Sequence, residues 1–434
     1  MQGHRIAVIG AGYVGLTTAA CMASLGHRVD CADIDERAVR SLRDGRVPIA
    51  EPGLEELVAA GLSSGRMRFV VGAAAAIHAE TSVVFLCVAT PMGPAGVADL
   101  SAVESVADEL RDLLPPGSIV AIKSTTPPGT ARSVSERLAR SDVAVVSNPE
   151  FLREGTAVRD FLIPDRIVVG ADDPDAARSI ADLYSAFRAP VVSTDAASAE
   201  MIKYASNCFL AVKLSYINSM ADLCERVGAN IDEVAEGMGL DPRIGSAYLR
   251  PGPGWGGPCL PKDSHALVRL AETAGVDVPL VRAALDSNNE RRRHIVAKVR
   301  DALGGDLIGR RIGLWGMAFK AGTSDLRDSP ALAVAELLAE EGADLVAYDP
   351  ALVPAPGQRI PVAVDAYEAA RDSVAVVLLT DCPQFRELDW RRVASAMAEP
   401  LIIDTRNYLD PDTLRLSGIT IYGLGRSEVE ALHS

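Results

Sequence analysis

A chain of 434 residues is too long for one compact core and suggests two or three domains of ordinary size. Hydrophobic residues make up 48% and charged residues 23%, the balance of a folded globular protein, which excludes general disorder. A net charge of −15 argues against a broad nucleic-acid groove. No apolar run reaches the roughly 18 residues of a membrane span, so no membrane partner is expected.

The opening MQGHRIAVIGAG passes straight into a strand and a glycine turn, leaving no room for a signal peptide, and the expected location is cytoplasmic. RIAVIG at 5–10 reads as a strand, followed by a helix to about Leu25 and a second strand, HRVDCAD, at 27–33. TSVVFLCV at 81–88, SIVAIKS at 118–124, VAVVSN at 143–148 and RIVVG at 166–170 continue the series. Apolar strands separated by helical segments predict βαβ units and a parallel sheet covered on both faces. From about Asp195 the pattern changes. AASAEMIKYASNCFLAVKLSYINSMADLCERVG has no proline, its apolar residues recur at helical spacing, and Gly228 is a plausible stop. Some thirty helical residues would extend roughly 45 Å. A hinge or a dimer seam would explain that length, and an unrecognised break is the alternative. PGPGWGGPCLPKD at 251–263 reads as a loop, being too rich in Pro and Gly for helix or strand. Helical stretches continue to about Leu303, and a second α/β pattern begins at 310–319. It continues through a helix near 330–341 and strands at 343–350, 374–381 and 401–407. The expected fold is α/β, with two Rossmann-like doubly wound domains joined by a long central helix and a helical middle domain. The boundaries fall at 1–195, 196–304 and 305–434.

Gly10-Ala11-Gly12-Tyr13-Val14-Gly15 lies directly after a strand and before a helix. In a dinucleotide-binding turn the first glycine makes the bend, the second lets backbone approach a pyrophosphate, and the third packs helix on strand. Asp33 ends the next strand, where an acid can hold ribose hydroxyls and repel a 2′-phosphate. This favours NAD over NADP, a preference that Arg37 and Arg40 temper; FAD finds no second motif to support it.

Seven cysteines show neither CxxC nor metal-ligand spacing, so reduced, buried thiols and no metal site are expected. Cys87 in VVFLCVAT fits that description. Cys259 does not: it follows Gly256-Gly257, which would let a ligand near the backbone, and precedes Lys262-Asp263. A lysine ammonium nearby favours nucleophilic thiolate, and Asp263 is a candidate base or water-holder. Lys203 and Asn207, four apart, share one helix face; the lysine is either partly desolvated or snorkels into water. Asn148–Gly155, NPEFLREG, follows a strand end, where ligands gather in open α/β sheets. Its Glu150 and Glu154 could share a helical face or be solvated. Lys123-Ser124-Thr125-Thr126-Pro127 ends another strand at the same rim, or is a surface turn.

Together these segments resemble the UDP-glucose/GDP-mannose dehydrogenase family over nearly the whole chain, from GAGYVG to the DTRN containing Arg406. The most specific matches are KSTTPPG, NPEFLREG, Lys203 with Asn207, RPGPGWGGPCLPKD, and FKAGTSDLRDSP at 319–330. The resemblance implies an NAD-binding N-terminal domain, a dimerising central helix and a C-terminal domain holding the nucleotide. It also implies a four-electron oxidation of a sugar C6 alcohol, using two NAD and no metal, through a thiohemiacetal and a thioester on Cys259. By the same resemblance Lys203 and Asn207 stabilise the developing oxyanion, Asp263 and Thr125 handle water, and Glu154 is the base for hydrolysis. Gly10, Gly12, Tyr13, Val14, Gly15, Asp33, Thr90, Thr125, Glu154, Lys262 and Arg327 are the expected NAD contacts. Glu150, Phe151, Leu152, Lys203, Asn207, Tyr248, Gly256, Lys320 and Arg406 are the expected substrate contacts. Arg243 matches an arginine that reaches a neighbouring subunit's site, implying a homodimer.

The chain departs from the family at Pro258, Leu260, Ser264-His265 and Thr323-Ser324-Asp325, which flank the sugar pocket but remove no group the chemistry needs. UDP-glucose is the first expected substrate, with GDP-mannose and dTDP-glucose as alternatives. A two-electron hydroxyacid dehydrogenase of related fold and a non-catalytic dinucleotide sensor are the competing readings.

Overall fold

The structure, a computed structural model, describes residues 3–354, 357 and 359–426. Contacts divide the chain into two compact units, Met1–Ser206 with His265–Ala274, and Asn207–Ser264 with Gly275–Ser434. Two of the three internal boundaries fall inside helices, Ala196–Val227 and Leu260–Thr273, and the third follows the end of the latter.

The first unit holds eight strands: β1 Arg5–Ile9, β2 Arg28–Asp33, β3 Met67–Val71, β4 Thr81–Leu86, β5 Ile119–Ile122, β6 Ala144–Ser147, β7 Ile167–Gly170 and β8 Val191–Thr194. They lie in the order β3-β2-β1-β4-β5-β6-β7-β8. Pairing is parallel throughout except at β6–β7, which meet antiparallel at Ser147 and Gly170 alone. Alternate residues go to opposite faces. Ile6, Val8, Val83 and Phe85 enter one apolar cluster, while Ala7, Ile9, Val84 and Leu86 enter another. A sheet buried on both faces needs near-continuous Val, Ile and Leu, which is why these runs read clearly in the sequence. The direction of winding reverses between β1 and β4, the crevice position where doubly wound sheets bind ligands.

The second unit contains β9 Arg311–Trp315, β10 Asp344–Tyr348, β11 Ala375–Leu378, β12 Leu401–Asp404 and β13 Thr420–Tyr422. They form an all-parallel sheet in the order β10-β9-β11-β12-β13. Its faces again carry separate clusters, Ile312, Leu314 and Val377 on one and Val376, Leu378 and Ile402 on the other. Both units are therefore Rossmann-like.

The long helix Ala196–Val227 is one unbroken element of 32 residues and needs no break, ending at Gly228 with φ +74°. The segment 251–263 differs from the loop expected of it. Helix begins at Leu260, with Pro261 in the first turn, where a missing N–H costs nothing. The Asp263 N–H bonds the Cys259 carbonyl at 2.9 Å, so Cys259 stands at the head of that helix. Among the described residues no helix is long and apolar enough to cross a membrane.

Candidate active site

The opening turn of the first unit divides its glycines by task. A Cβ on Gly10, which has φ +101°, would lie 2.7 Å from the Cys87 carbonyl oxygen; one on Gly15 would lie 1.8 Å from the Gly10 oxygen. On Gly12, the residue before the helix Tyr13–Ser24, a Cβ would meet nothing within 4 Å. Two glycines thus pack the turn against the chain, and the middle one leaves bare backbone at a helix N-terminus, as a pyrophosphate requires. Asp33 accepts the Ala11 N–H at 2.8 Å with one oxygen and the Asp35 N–H at 2.9 Å with the other, and stays half-buried. Lone pairs remain on both oxygens for ribose hydroxyls. Val14 follows in the same first helical turn. These residues fit NAD.

Tyr13 is tied to a carboxylate that sequence reasoning missed. Its hydroxyl donates to buried Glu51 and accepts the Gly155 N–H at 2.8 Å. Glu51 also accepts the Gly155 N–H at 2.7 Å and the Val158 N–H at 3.4 Å. Burial first, and then Glu51, raise the Tyr13 phenol well above its ordinary range. The NPEFLREG segment is therefore fastened to the dinucleotide turn. It is not helical before Ala157, so Glu150 and Glu154 share no helical face. Glu154 is half-buried, and Glu150 is buried.

Glu150 and Lys203 form an ion pair at 3.1 Å with side chains 6% and 5% exposed. The lysine does not snorkel into water. Its ammonium also stands 5.2 Å from the centre of the Phe151 ring, against which Arg166 stacks at 3.6 Å. The second Glu150 oxygen accepts the Leu152 N–H at 2.5 Å. The Thr90 hydroxyl donates to the Thr125 carbonyl at 2.9 Å, linking the end of β4 to the turn after β5. Lys123 is buried rather than at a surface turn: it donates to Asn148 and to Tyr184, each at 3.2 Å.

In the second unit, Asp263 is 1% exposed and held from both sides. The Asn207 amide donates to one oxygen at 2.6 Å, and Lys262 pairs with the other at 2.7 Å. Four residues before Asp263 stands Cys259, the one exposed cysteine of seven. The others are buried, and burial pushes Cys21, Cys87, Cys208 and Cys382 up to about 12.

The glycine-rich lead to Cys259 is bolted to buried polar side chains. Asn218 accepts the Gly252 N–H at 2.8 Å, Asn288 accepts the Trp255 N–H at 2.8 Å, and Ser215 accepts the Trp255 indole at 2.9 Å. What its glycines make room for is this same chain. A Cβ on Gly256 would fall 1.9 Å from the Asp328 oxygen, and one on Gly257 2.6 Å from the Phe319 ring. Gly252 lies against the guanidinium of Arg406, which donates to the Leu379 carbonyl at 2.8 Å. Tyr248 has φ +62°, a conformation that a bulky residue adopts only under constraint. Lys320 stands 5.5 Å from the Phe319 ring centre. Arg327 pairs with Asp325, and Arg243, whose side chain is 87% exposed, with Asp241 at 2.6 Å.

The order of strands, the divided glycine turn and the strand-end acid define a dinucleotide-dependent oxidoreductase with a second α/β unit. Three sequence models of the UDP-glucose/GDP-mannose dehydrogenase family match: its NAD binding domain at 4–188, its central domain at 197–290 and its UDP binding domain at 313–411. A UDP-glucose 6-dehydrogenase of Rhizobium meliloti is 44% identical over 98% of this chain and 100% of its own. One of Bacillus subtilis is 41% identical over 98% and 94%. The solved structure of a UDP-glucose dehydrogenase from the hyperthermophilic archaeon Pyrobaculum islandicum superposes with a TM-score of 0.86 at 39% identity, covering 94% of this chain and 95% of that one. The chain belongs to the UDP-glucose/GDP-mannose dehydrogenase family, and it is an NAD-dependent nucleotide-sugar dehydrogenase.

Proposed function

We propose that this enzyme oxidises the C6 alcohol of UDP-glucose to the carboxylate of UDP-glucuronate, with Cys259 as the covalent nucleophile. The observation that carries the reading is the setting of that cysteine: exposed, at the head of a helix, and followed in its first turn by the Lys262–Asp263 pair. Orphan N–H groups and a cation both favour a thiolate. The resemblance to UDP-glucose enzymes along the whole chain supports the choice of sugar.

NAD, held by Gly10, Gly12, Tyr13, Val14, Gly15, Asp33, Thr90, Thr125, Glu154, Lys262 and Arg327, supplies the hydride acceptor for each of two oxidations. In the first, the alcohol proton leaves and C6 becomes an aldehyde, with the ammonium of Lys203 and the amide of Asn207 stabilising negative charge on oxygen. The Cys259 thiolate then forms a C–S bond to C6, giving a thiohemiacetal that stays with the enzyme. Loss of the second hydride from that carbon yields a thioester. Asp263 and Thr125 position water, Glu154 takes its proton, and the C–S bond breaks to release carboxylate and thiol. One alcohol and one water thus become one carboxylate, two NADH and three protons. Glu150, Phe151, Leu152, Tyr248, Gly256, Lys320 and Arg406 hold the substrate in this reading.

The assignment gives 1–195 to NAD, 196–304 to self-association and 305–434 to the nucleotide of the sugar. A homodimer in which Arg243 serves the neighbouring site is supported by that arginine's exposure. It is also supported by the exposed, seven-residue-spaced Phe209, Tyr216 and Leu223 on the long helix. The test is a panel of UDP-glucose, GDP-mannose and dTDP-glucose with NAD. Two NADH per UDP-glucose with an acid product is expected; no turnover of UDP-glucose beside fast turnover of another sugar rejects the choice.

A further inference from the structure

The first turns of the long helix carry a buried carboxylate that the chemistry above leaves unused. Glu200 is 2% exposed and turns both oxygens to backbone donors, accepting the Gly129 N–H at 2.6 Å and the Ala131 N–H at 2.7 Å. These N–H groups open the helix Thr130–Leu138, whose preceding residue is Gly129, with φ +99° and no side chain to serve as a cap. A carboxylate from elsewhere in the fold therefore does the work of an N-cap, and its charge meets the positive end of the helix dipole.

The capped turn is the continuation of Thr125. The Thr125 carbonyl is held by Thr90 at 2.9 Å, and the Thr130 hydroxyl folds back onto the Pro127 carbonyl at 2.7 Å. The 125–131 segment is thus anchored at one end by Thr90 and at the other by Glu200. Three residues along the same helix, Lys203 grips Glu150. Side chains three apart share a helix face, so one face holds both the 125–131 turn and the 148–152 segment.

We propose that Glu200 is a positioning residue for the oxidation, keeping the Thr125 turn in register with Lys203 through its bonds to Gly129 and Ala131. The proposal rests on the reading that Thr125 and Lys203 serve one substrate. Glu200 lines a crevice of about 700 Å³. Burial raises its carboxyl to about 7, opposed by the two N–H groups and Arg132 and assisted by Asp195. Glu136, Arg140 and Asp142 face the crevice after β5, and Asp172, Asp173 and Asp175 face it after β7. A proton on one oxygen takes an acceptor from one of the two N–H groups, so the clamp holds above about pH 7 and loosens below it.

Two variants test this. Glu200→Gln keeps the length and one acceptor; Glu200→Asp keeps the charge and falls one methylene short. In both, amide exchange at 129–131 at pH 8 is expected to quicken about tenfold, with the rest of the first unit unchanged. With UDP-glucose, kcat falls about tenfold, and the rise of wild-type kcat through about pH 7 flattens in Glu200→Gln. Unchanged exchange at 129–131, protection lost evenly across the unit, or an unaltered pH profile would overturn the proposal. If the wild-type enzyme oxidises no nucleotide sugar, the reading of function fails, and the exchange result alone decides whether Glu200 holds the turn.

Discussion

In each unit an aspartate, Asp33 as the last residue of β2 and Asp349 directly after β10, ties down the turn after the unit's first strand, and the two do so to different ends. Asp33 takes one N–H from its turn, remains half-buried, and stands by a helix that begins at once after Gly12. Asp349 is 1% exposed and accepts the N–H groups of Met317, Ala318 and Ala351 at 2.7, 3.0 and 2.9 Å. The turn glycines match as well, Gly10 at φ +101° and Gly316 at φ +85°. In the second unit, however, the helix waits until Pro330, and the intervening chain folds against Gly256 and Gly257. The same backbone device thus stands beside an open helix start where the helix follows directly, and is packed into the scaffold where it does not. A strand-end acid marks a dinucleotide site only together with a bare helix start.

Substitutions at matched positions break or sharpen that contrast. The largest effect is expected from Gly15→Ala, whose Cβ would collide with the Gly10 carbonyl: NAD binding is lost in a fluorescence titration and the first unit melts early. Gly316→Ala, whose Cβ would lie 2.4 Å from that of Thr380, should destabilise the second unit and leave NAD affinity alone. Asp349→Ala strands three backbone donors and is expected to cost on the order of 3 kcal/mol in denaturant melts, again without changing NAD affinity. Asp33→Asn should instead weaken NAD about tenfold and narrow its advantage over NADP, with little change in melting. Gly12→Ala is the mildest: stability within about 0.5 kcal/mol of wild type, since nothing meets the new methyl, but a measurable loss of NAD affinity. Loss of stability without loss of affinity at Gly12 would erase the distinction between the two turns.

The sheet cores were legible because strands buried on both faces must be apolar without interruption. β3 escaped because Arg68 interrupts it, an arginine that pairs with Asp30 on β2 within 2.6 Å. β8 escaped because Val191 and Val192 are exposed, and β13 because it is only Thr420–Tyr422. The Lys203–Asn207 spacing was visible, but the buried partners were not: nothing local says that one will meet Glu150 and the other Asp263. Glu51 and Glu200 were invisible for the same reason. Glu51 bonds residues 104 and 107 positions away, and Glu200 bonds residues 71 and 69 away. Glycine is ambiguous in sequence; the same letter leaves open backbone at Gly12 and makes room for Phe319 at Gly257.

The central claim concerns one sulfur, and intact-mass spectrometry of Cys259→Ser incubated with UDP-glucose and NAD tests it most directly. A serine ester hydrolyses far more slowly than a thioester, so the expected result is a protein heavier by the uronyl nucleotide, with NADH release stopping after one turnover. Unmodified protein that continues to give two NADH per sugar at the wild-type rate would contradict the account.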